Sequence, residues 1–378
     1  MDYIKIDLPH KIKYDILALG AEAKASFCFV KDNTAYVSKP DGGLVSLEGT
    51  RIFETRLRKV QKDLKVRPRI IACDLHPGYT STRLASNIAE SQGLSLKPVQ
   101  HHHAHIASCI VDNDIKGKVI GIAFDGTGFG LDGNIWGGEF FIGTLSGFKR
   151  GAHLKYIPMP GGEASIREPW RMAFSYLYNI YSSGLKRLRL DSLARLSSAN
   201  TGLLAQIIDK NINSPLTSSM GRLFDAVSAL LGICDVARYE GQAAIELEKE
   251  ILPHASCLKS NRSYNFRYKE EKGVIVIDWT PVIKGVVGDL QAKRSKPEIS
   301  LKFHNAICYM IRDVSKLLRK KYKIDKVSMS GGVFQNKYIV RNVKLLLDES
   351  GFKVYMHRNV PAHDGNIALG QAVLAVRR

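Results

Sequence analysis

Two histidines four residues apart form the part of the sequence best suited to chemistry. The stretch Gln100-His101-His102-His103-Ala104-His105 follows Pro98, and if a helix begins there, His101 and His105 lie one turn apart on the same face. Two imidazoles placed in this way can bind one metal ion. They supply only part of a transition-metal site, so we expect carboxylates from elsewhere to complete it. A histidine-rich helical turn on the surface is the alternative interpretation.

Asp125 and Asp364 are the carboxylates that we expect beside the histidine pair. Each directly precedes a glycine, Asp125 after an apolar strand and Asp364 at the start of a predicted helix. The structural alternatives are that Asp125 stabilises its own turn and that Asp364 caps the helix. Ligand type leaves iron, zinc and manganese open. Such an ion would polarise a phosphate or carbonyl oxygen of a bound nucleotide, and His363 is expected to hydrogen-bond a ligand.

Glycine-rich segments after two apolar strands predict a binding site for an anionic nucleotide. One segment covers residues 125–130 and the other residues 330–336. Because glycine has no side chain, backbone N–H groups can approach a phosphate closely there. The candidate phosphate and ribose contacts are Gly126, Thr127, Gly128, Gly331, Gly332 and Asn336.

Two charged residues outside these segments have a functional and a structural interpretation. Lys24, after the first predicted strand, either brings a positive charge to a phosphate or carbonyl group or is a surface lysine. Asp225 lies among apolar residues of a predicted helix, where a carboxylate needs a partner. That partner is either a ribose hydroxyl or Arg222, one helical turn earlier. The cysteines lack the neighbours of a protein nucleophile, so we expect the attacking group to come from the substrate.

The elements that must position these residues repeat one pattern twice. In the first half we predict strands at 15–19, 26–30 and 34–38, a helix at 52–64, a strand at 69–73, a helix at 80–92, a strand at 97–100 and then the histidine helix. In the second half we predict strands at 119–124, 135–145 and 153–157, with a glycine turn at 125–130. A mainly helical stretch follows from 169 to about 252, then a strand at 275–279 and a linker at 289–297. The chain ends with a helix at 300–320, a strand at 326–329, a helix at 336–349, a strand at 352–357 and a helix at 364–376.

A meander followed by alternating helices and strands, present twice, predicts an α/β fold built from a duplicated ribonuclease-H-like unit. Actin, sugar kinases and chaperone ATPases share this architecture, in which the two halves face each other across a nucleotide cleft. We expect an N-terminal lobe at residues 1–118, ending in the histidine helix, and a C-terminal lobe at 119–378 with a helical insertion at about 165–300. The 378 residues are enough for two such packed units.

Composition narrows the class of protein and of partner. No apolar run reaches the ~18 residues that span a bilayer, and residues 1–10 lack the core of a signal peptide, so we expect a cytosolic protein without membrane contact. The six cysteines (28, 73, 109, 234, 257 and 308) form no Cys-x-x-Cys pair and predict buried free thiols. The net charge of +19 suits nucleic acid. The clusters of lysine and arginine at 186–189 and 319–323 are short, however, and the second is typical of the solvated end of a helix. Nucleic acid is therefore not the favoured partner.

Further motifs accompany the histidine segment and the two glycine-rich segments. They are Ala18-Leu19-Gly20-Ala21-Glu22, Asp74-Leu75-His76-Pro77-Gly78-Tyr79, Ile166-Arg167-Glu168-Pro169-Trp170-Arg171-Met172-Ala173, Gly221-Arg222-Leu223-Phe224-Asp225-Ala226-Val227, Tyr239-Glu240-Gly241-Gln242-Ala243-Ala244 and His363-Asp364-Gly365-Asn366. Together the motifs closely resemble the C-terminal carbamoyltransferase domain of the HypF family, and the resemblance covers essentially the whole chain.

The resemblance implies a reaction and a set of site residues. HypF passes a carbamoyl group from carbamoyl-adenylate to the C-terminal cysteine thiol of a HypE-type protein during nickel–iron hydrogenase maturation. The implied cofactors are a divalent metal, iron or zinc, and ATP or carbamoyl-adenylate. The implied metal ligands are His101, His105, Asp125 and Asp364, and the implied nucleotide contacts are Asp125, Gly126, Thr127, Gly128, Phe129, Asp225, Gly241, Gly332 and Asn336. We expect Lys24, His101, His105 and Asp364 to take part in catalysis.

One departure from the family and three competing functions bear on this interpretation. Full-length HypF carries an acylphosphatase domain, a zinc region with two Cys-x-x-Cys pairs and an adenylate-forming domain before this one, and this sequence has none of them. We therefore expect one of two situations. Either the chain performs only the transfer half-reaction, with carbamoyl-adenylate made by a separate protein, or it is an excised or split domain. The tRNA threonylcarbamoyladenosine transferases share the fold and the His-x3-His motif but typically have Glu-Gly-His in place of His103-Ala104-His105. A small-molecule O-carbamoyltransferase is the second competing function, and a non-enzymatic nucleotide-binding subunit is the third.

Overall fold

Two mixed β-sheets with helices packed on them carry most of the chain. The computed structural model describes residues 3–9, 11–40, 42–188, 190, 198–251 and 262–376. The first sheet contains β1 (Tyr3–Asp7), β2 (Ile16–Ala18), β3 (Cys28–Lys31), β4 (Thr34–Ser38), β5 (Ile70–Asp74) and β6 (Ser95–Val99). The second contains β7 (Val119–Phe129), β8 (Ile135–Thr144), β9 (Gly147–Leu154), β10 (Ile157–Pro158), β11 (Leu216–Thr217), β12 (Arg267–Glu271), β13 (Val274–Asp278), β14 (Lys326–Ser330) and β15 (Lys353–Tyr355).

The two sheets share one strand order. The first sheet runs β1-β4-β3-β2-β5-β6, with an antiparallel β2-β3-β4 meander and with β5 parallel to both β2 and β6. The second runs β12-β13-β9-β8-β7-β14-β15, with an antiparallel β7-β8-β9 meander and with β14 parallel to both β7 and β15. In each, the meander's first strand is central and two parallel strands follow it. The predicted duplicated ribonuclease-H-like fold is confirmed.

The helices pack on the faces of these sheets. They are α1 (Leu47–Leu64), α2 (Thr80–Gln92), α3 (His101–Asp112), α4 (Ala164–Arg167), α5 (Pro169–Tyr181), α6 (Ser198–Asp209), α7 (Met220–Leu230), α8 (Gln242–Lys249), α9 (Thr280–Gln291), α10 (Lys296–Tyr322), α11 (Lys337–Glu349) and α12 (Ile367–Ala375). Short 3-10 turns lie at Ser182–Arg187, Gly332–Gln335 and Asp364–Asn366. Within the described residues, none of these helices is long and apolar enough to cross a lipid bilayer.

Helix α3 lies between the two sheets. Its Ala104 and Ala107 belong to the core of the first sheet, whereas its Ile106 and Ile110 pack with strand β7 of the second. Helix α12 packs beside α3 on the first sheet, where Gly370 lies so close that a Cβ atom there would be 1.8 Å from the carbonyl oxygen of Ala104. The C-terminal end of the chain thus completes the core of the N-terminal sheet. The predicted division of the chain at residue 118 stays a prediction.

Several predicted elements are confirmed and others were wrong. The helix at Thr80–Gln92 ends at Gly93, whose φ is 64°, as the sequence predicts. The predicted turn at 125–130 was wrong, because β7 continues to Phe129 through a bulge and the chain turns at 130–134 instead. The glycines there form a β-bulge within the strand rather than a turn that ends it.

Three further differences concern strand and helix limits. Strand β9 begins at Gly147 rather than at 153, because a tight turn joins it directly to β8. The predicted linker at 289–297 was wrong: α9 extends to Gln291, and α10 begins at Lys296 with Pro297 in its first turn, where proline is tolerated. Strand β1, an edge strand beside β4, was not predicted.

Two predictions fall partly outside the described residues. Cys257 and the last residue of the first basic cluster, Arg189, lie outside them. The five other cysteines are buried and free, as predicted. The second basic cluster ends α10, as predicted, with Lys323 as the left-handed residue that follows the helix.

Candidate metal and nucleotide site

Helix α3 presents His101 and His105 to the glycine-rich part of β7. The helix begins at His101 because the Gln100 side chain accepts a hydrogen bond from the backbone N–H of His103. Both imidazoles are fully buried, with ring centroids 5.1 Å apart. The Nε2 atoms of His105 and His101 lie 2.8 Å and 3.7 Å from Oδ2 of Asp125. Spacing along one helix therefore brings both rings to one carboxylate.

Asp364 completes a group of four potential ligands. It lies in the 3-10 turn before α12, and its Oδ1 is 3.8 Å from His101 Nε2 and 3.7 Å from His105 Nε2. One ligand atom from each of the four residues lies within 4.8 Å of the others. Ligands about 2.1 Å from one ion are separated by roughly 3 to 4 Å. The spacing of the four side chains therefore fits a metal ion.

The electrostatics of the cluster also fit a cation. Among the described residues, the buried Nε2 of His101 has no hydrogen-bond partner, which ordinarily costs about 1–3 kcal/mol. It faces the carboxylates of Asp125 and Asp364, whose two negative charges a divalent ion would balance. Burial would raise the pKa of Asp125, but the two histidines hold it well below its usual range.

Asp74 orients His101 from the side away from the cluster. Its Oδ2 is 2.7 Å from His101 Nδ1, and neither side chain is exposed. Burial lowers the pKa of His101, but the carboxylates of Asp74 and Asp125 outweigh it and raise the pKa well above its usual value. Metal-binding histidines commonly have such a partner on the other ring nitrogen. The sequence signal for Asp74 was a carboxylate at the end of a buried strand, which we did not assign to the site.

His105 is held by two neutral partners. Its Nδ1 lies 3.2 Å from Oδ1 of Asn366 and 3.1 Å from Oγ of Ser330. Asn366 follows Asp364 in the same 3-10 turn, and Ser330 ends β14. Both residues are buried, and both lie within family motifs of the sequence, although we did not assign these two side chains to the site.

Asp125 also joins the two glycine-rich segments. Its Oδ1 accepts hydrogen bonds from the N–H of Gly126 at 2.8 Å and of Gly332 at 3.3 Å. Gly331 has a φ of 107°, and a Cβ atom there would lie 2.2 Å from the carbonyl oxygen of Phe124. Only glycine fits such an approach between β14 and β7. The structure thus brings Gly126, Gly331 and Gly332 together around this carboxylate.

The rest of the β7 bulge packs on the histidine helix. A Cβ atom on Gly128 would lie 2.4 Å from Cε1 of His102 and 3.0 Å from Cδ2 of His101. Thr127, beside it, is half-buried, and the Phe129 ring meets that of His76 edge-on at 5.5 Å. Opposite, the Ser219 hydroxyl lies 2.8 Å and 2.6 Å from the carbonyl oxygens of Asp125 and Gly126.

Three predicted nucleotide contacts lie on elements around this bulge. Asp225, on α7, is buried and pairs with Arg222 at 2.7 Å, the structural alternative to a ribose contact. Burial raises the pKa of Asp225 to about 6. Gly241 precedes α8 with a φ of 74°. Asn336 caps the N-terminus of α11, where its Oδ1 accepts from the N–H of Ile339, and its Nδ2 contacts Nε2 of His304 at 3.0 Å.

Lys24 lies between the N-terminal sheet and the helical insertion. Its Nζ donates to Oε1 of Glu240 at 3.1 Å, and both side chains are partly exposed. Burial and the nearby Lys24 charge lower the pKa of His363 to about 4. The His363 ring itself accepts from the N–H of Gly365 at 3.1 Å. Lys24 is therefore paired within the protein and lies close to the loop that carries Asp364.

The fold and the cluster define a two-lobed ribonuclease-H-like protein with a candidate metal centre between its sheets. Residues 11–112 match the "HypF Kae1-like domain", and residues 121–371 match the "Carbamoyltransferase, Kae1-like Domain, second subdomain". The chain belongs to the HypF carbamoyltransferase family.

Individual relatives show how much of that family the chain covers. It is 33% identical over 388 residues to carbamoyltransferase HypF of Synechocystis sp., covering 98% of this chain and 48% of that protein. It is 30% identical over 364 residues to a "Carbamoyltransferase HypF homolog" of Cupriavidus necator, covering 96% and 92%. A crystal structure of full-length HypF in the phosphate- and nucleotide-bound form superposes with a TM-score of 0.90 at 38% identity, covering 98% of this chain and 56% of that one. The chain thus spans about half the length of several relatives and nearly all of one.

Proposed function

We propose that this protein is a metal-assisted carbamoyltransferase that uses carbamoyl-adenylate as donor. The observation that carries the proposal is the buried set His101, His105, Asp125 and Asp364, whose ligand atoms lie within 4.8 Å of one another. Family membership supplies the carbamoyl chemistry, and the glycine-rich segments that meet beside Asp125 let a phosphate approach the backbone closely. The relative solved in a phosphate- and nucleotide-bound form supports a nucleotide as the ligand of these segments.

The proposed acceptor is the C-terminal cysteine thiol of a HypE-type protein. The thiolate attacks the carbamoyl carbon, a C–S bond forms, the C–O bond to the phosphate breaks, and AMP leaves. The thiol gives its proton to solvent as the thiolate forms, before the attack. Carbamoyl-adenylate comes from a separate adenylate-forming protein or domain. The five buried, free cysteines support a reducing compartment, the cytoplasm, as the place of reaction.

Each residue has a stated task in this proposal. His101, His105, Asp125 and Asp364 hold a divalent ion, iron or zinc, which when bound supplies Lewis-acid polarisation of a carbonyl or phosphate oxygen. Residues 126–128, 331 and 332 lie along the phosphates, and Phe129, Asp225, Gly241 and Asn336 lie along the nucleoside. Lys24 neutralises phosphate charge after leaving Glu240, an exchange that costs little because partly exposed ion pairs contribute about 0–1 kcal/mol.

A transfer assay with supplied carbamoyl-adenylate tests the proposal. We expect a HypE-type peptide ending in cysteine to gain one carbamoyl group, detected by mass spectrometry, whereas the same peptide ending in serine remains unmodified. His105→Ala should abolish transfer. His103→Ala is the matched control, because His103 lies on the same helix but packs against Phe141 with ring centroids 4.9 Å apart.

Two outcomes would overturn the proposal. Transfer to tRNA and not to the peptide would assign the chain to the threonylcarbamoyl branch of the fold. Binding of the adenylate without turnover, with every acceptor supplied, would favour a nucleotide-binding subunit.

A further inference from the structure

A buried chain of hydrogen-bonding groups leads away from His105 on the side opposite the other ligands. His105 Nδ1 is 3.1 Å from Ser330 Oγ, which is 2.8 Å from Nε2 of His357. Nδ1 of His357 in turn lies 3.4 Å from Oδ2 of Asp112, an electrostatic contact rather than a hydrogen bond, since this Nδ1 has no hydrogen-bond partner among the described residues. The side chains of His357 and Asp112 are 3% and 0% exposed. Four polar groups from three parts of the sequence are therefore aligned without access to water.

Asp112 determines which ring nitrogen of His357 carries the proton. Its carboxylate accepts hydrogen bonds from the N–H of Arg358 at 2.6 Å and from Nδ2 of Asn359 at 2.8 Å. Burial would raise the pKa of Asp112, but these donors and His357 lower it to about 2. The negative charge of Asp112, 3.4 Å from His357 Nδ1, favours the tautomer with the proton on that nitrogen. Burial lowers the pKa of His357, which favours the neutral ring, and with the proton on Nδ1 its Nε2 carries a lone pair.

That lone pair determines where the Ser330 hydroxyl points. His357 Nε2, at 2.8 Å, is a closer acceptor for the hydroxyl than the carbonyl oxygen of Ala362 at 3.4 Å. With its proton directed to His357, Ser330 Oγ presents lone pairs to His105 Nδ1. If the hydroxyl donated to His105 instead, the proton of a neutral His105 would lie on Nε2 and block metal binding.

Asn366 also presents a hydrogen-bond acceptor to Nδ1 of His105. Its Nδ2 lies 2.9 to 3.0 Å from the carbonyl oxygens of residues 361, 362 and 363, which fixes the orientation of the amide. Its Oδ1 is therefore the atom that faces His105 Nδ1, at 3.2 Å. Both neighbours of Nδ1 are thus acceptors.

We propose that Asp112, His357 and Ser330 are positioning residues that, together with Asn366, keep the proton of His105 on Nδ1 and leave Nε2 free to bind the metal ion. The inference rests on the proposed metal site. Asp74 performs the corresponding task for His101 directly, through one hydrogen bond. His105 differs in that its partners are neutral and depend on a carboxylate three groups away.

The test measures Co2+ affinity of the full chain by chelator competition. His357→Phe removes the acceptor, and we expect the dissociation constant to rise by about tenfold, the lower end of the usual effect of such partners. His357→Gln keeps an acceptor near the position of Nε2, and we expect it to restore most of the affinity. His153→Gln is the matched control, because His153 is a buried histidine on β9 whose Nδ1 bonds to the carbonyl of Leu154.

Ser330→Ala provides a second variant that removes a single oxygen atom. We expect it to weaken Co2+ binding as much as His357→Phe, and we expect the double variant to be no weaker than Ser330→Ala, because both changes break one chain. Additive losses, or equal affinities of the Phe and Gln variants, would overturn the proposal. A wild-type protein that binds no divalent ion would instead refute the metal site itself, whereas tight wild-type binding unchanged in the variants would refute only the positioning role.

Discussion

Replacing Asp74 by asparagine should weaken metal binding without removing a ligand. The two carboxylate oxygens of Asp74 serve two donors, since Oδ1 accepts from the N–H of His76 at 2.9 Å and Oδ2 contacts His101 Nδ1 at 2.7 Å. An asparagine has one acceptor oxygen, so one of these donors would face an NH2 group. The lost charge-assisted hydrogen bond is worth about 1.5–3 kcal/mol. This corresponds to roughly a 10- to 100-fold rise in the dissociation constant of the metal.

The assay is chelator competition with Zn2+ or Co2+, with a thermal melt of the metal-free protein to verify folding. Asp278→Asn is the matched control, because Asp278 accepts from the N–H and hydroxyl of Thr280 at the start of α9, away from the metal site. We expect this control to bind metal as the wild type does. Wild-type affinity in Asp74→Asn would refute the reasoning that Asp74 orients His101.

Three further predictions concern stability and packing. Despite burial, which raises it, hydrogen-bond partners lower the pKa of Asp112 from 3.8 to about 2, so its carboxylate contributes about 2 kcal/mol of stability above pH 4 that is lost as the pH falls towards 2. Because the pKa values of Asp125 and Asp132 are lowered as well, urea titrations of Asp112→Asn should still show acid destabilisation, but about 2 kcal/mol less than in the wild type. Gly128→Ala places a Cβ atom 2.4 Å from the ring of His102 and should reduce metal affinity, measured by the same competition assay. Arg150→Met leaves the buried Glu139 carboxylate without its cationic partner at 2.6 Å and should lower the free energy of unfolding by about 3–5 kcal/mol in a urea titration.

The parts of the site that the sequence predicted are those set by local spacing. His101 and His105 lie on one face because four residues separate them in a helix, and glycine neighbours marked Asp125 and Asp364 as residues of special backbone geometry. Their partners depend on the fold instead. Asn366 is 261 residues from His105, and only the packing of α12 beside α3 brings them together.

The differences between the predicted and the observed strands and helices have a similar origin. The repeated strand order followed from apolar patterns, which are local. The β7 bulge did not, because glycine-rich segments are common both to turns and to bulges, and only pairing with β8 distinguishes the two. Proline at 297 looked like part of a linker, although Ser295 caps α10 two residues earlier and makes it part of the first helical turn.

Metal content of the purified protein tests the central claim most directly. We expect the wild-type chain to retain about one divalent ion per molecule after desalting, and the double variant with His101→Ala and His105→Ala to retain none while still folding, as elemental analysis and circular dichroism would show. A folded double variant that keeps the same ion at the same stoichiometry would contradict the assignment of these two imidazoles as ligands.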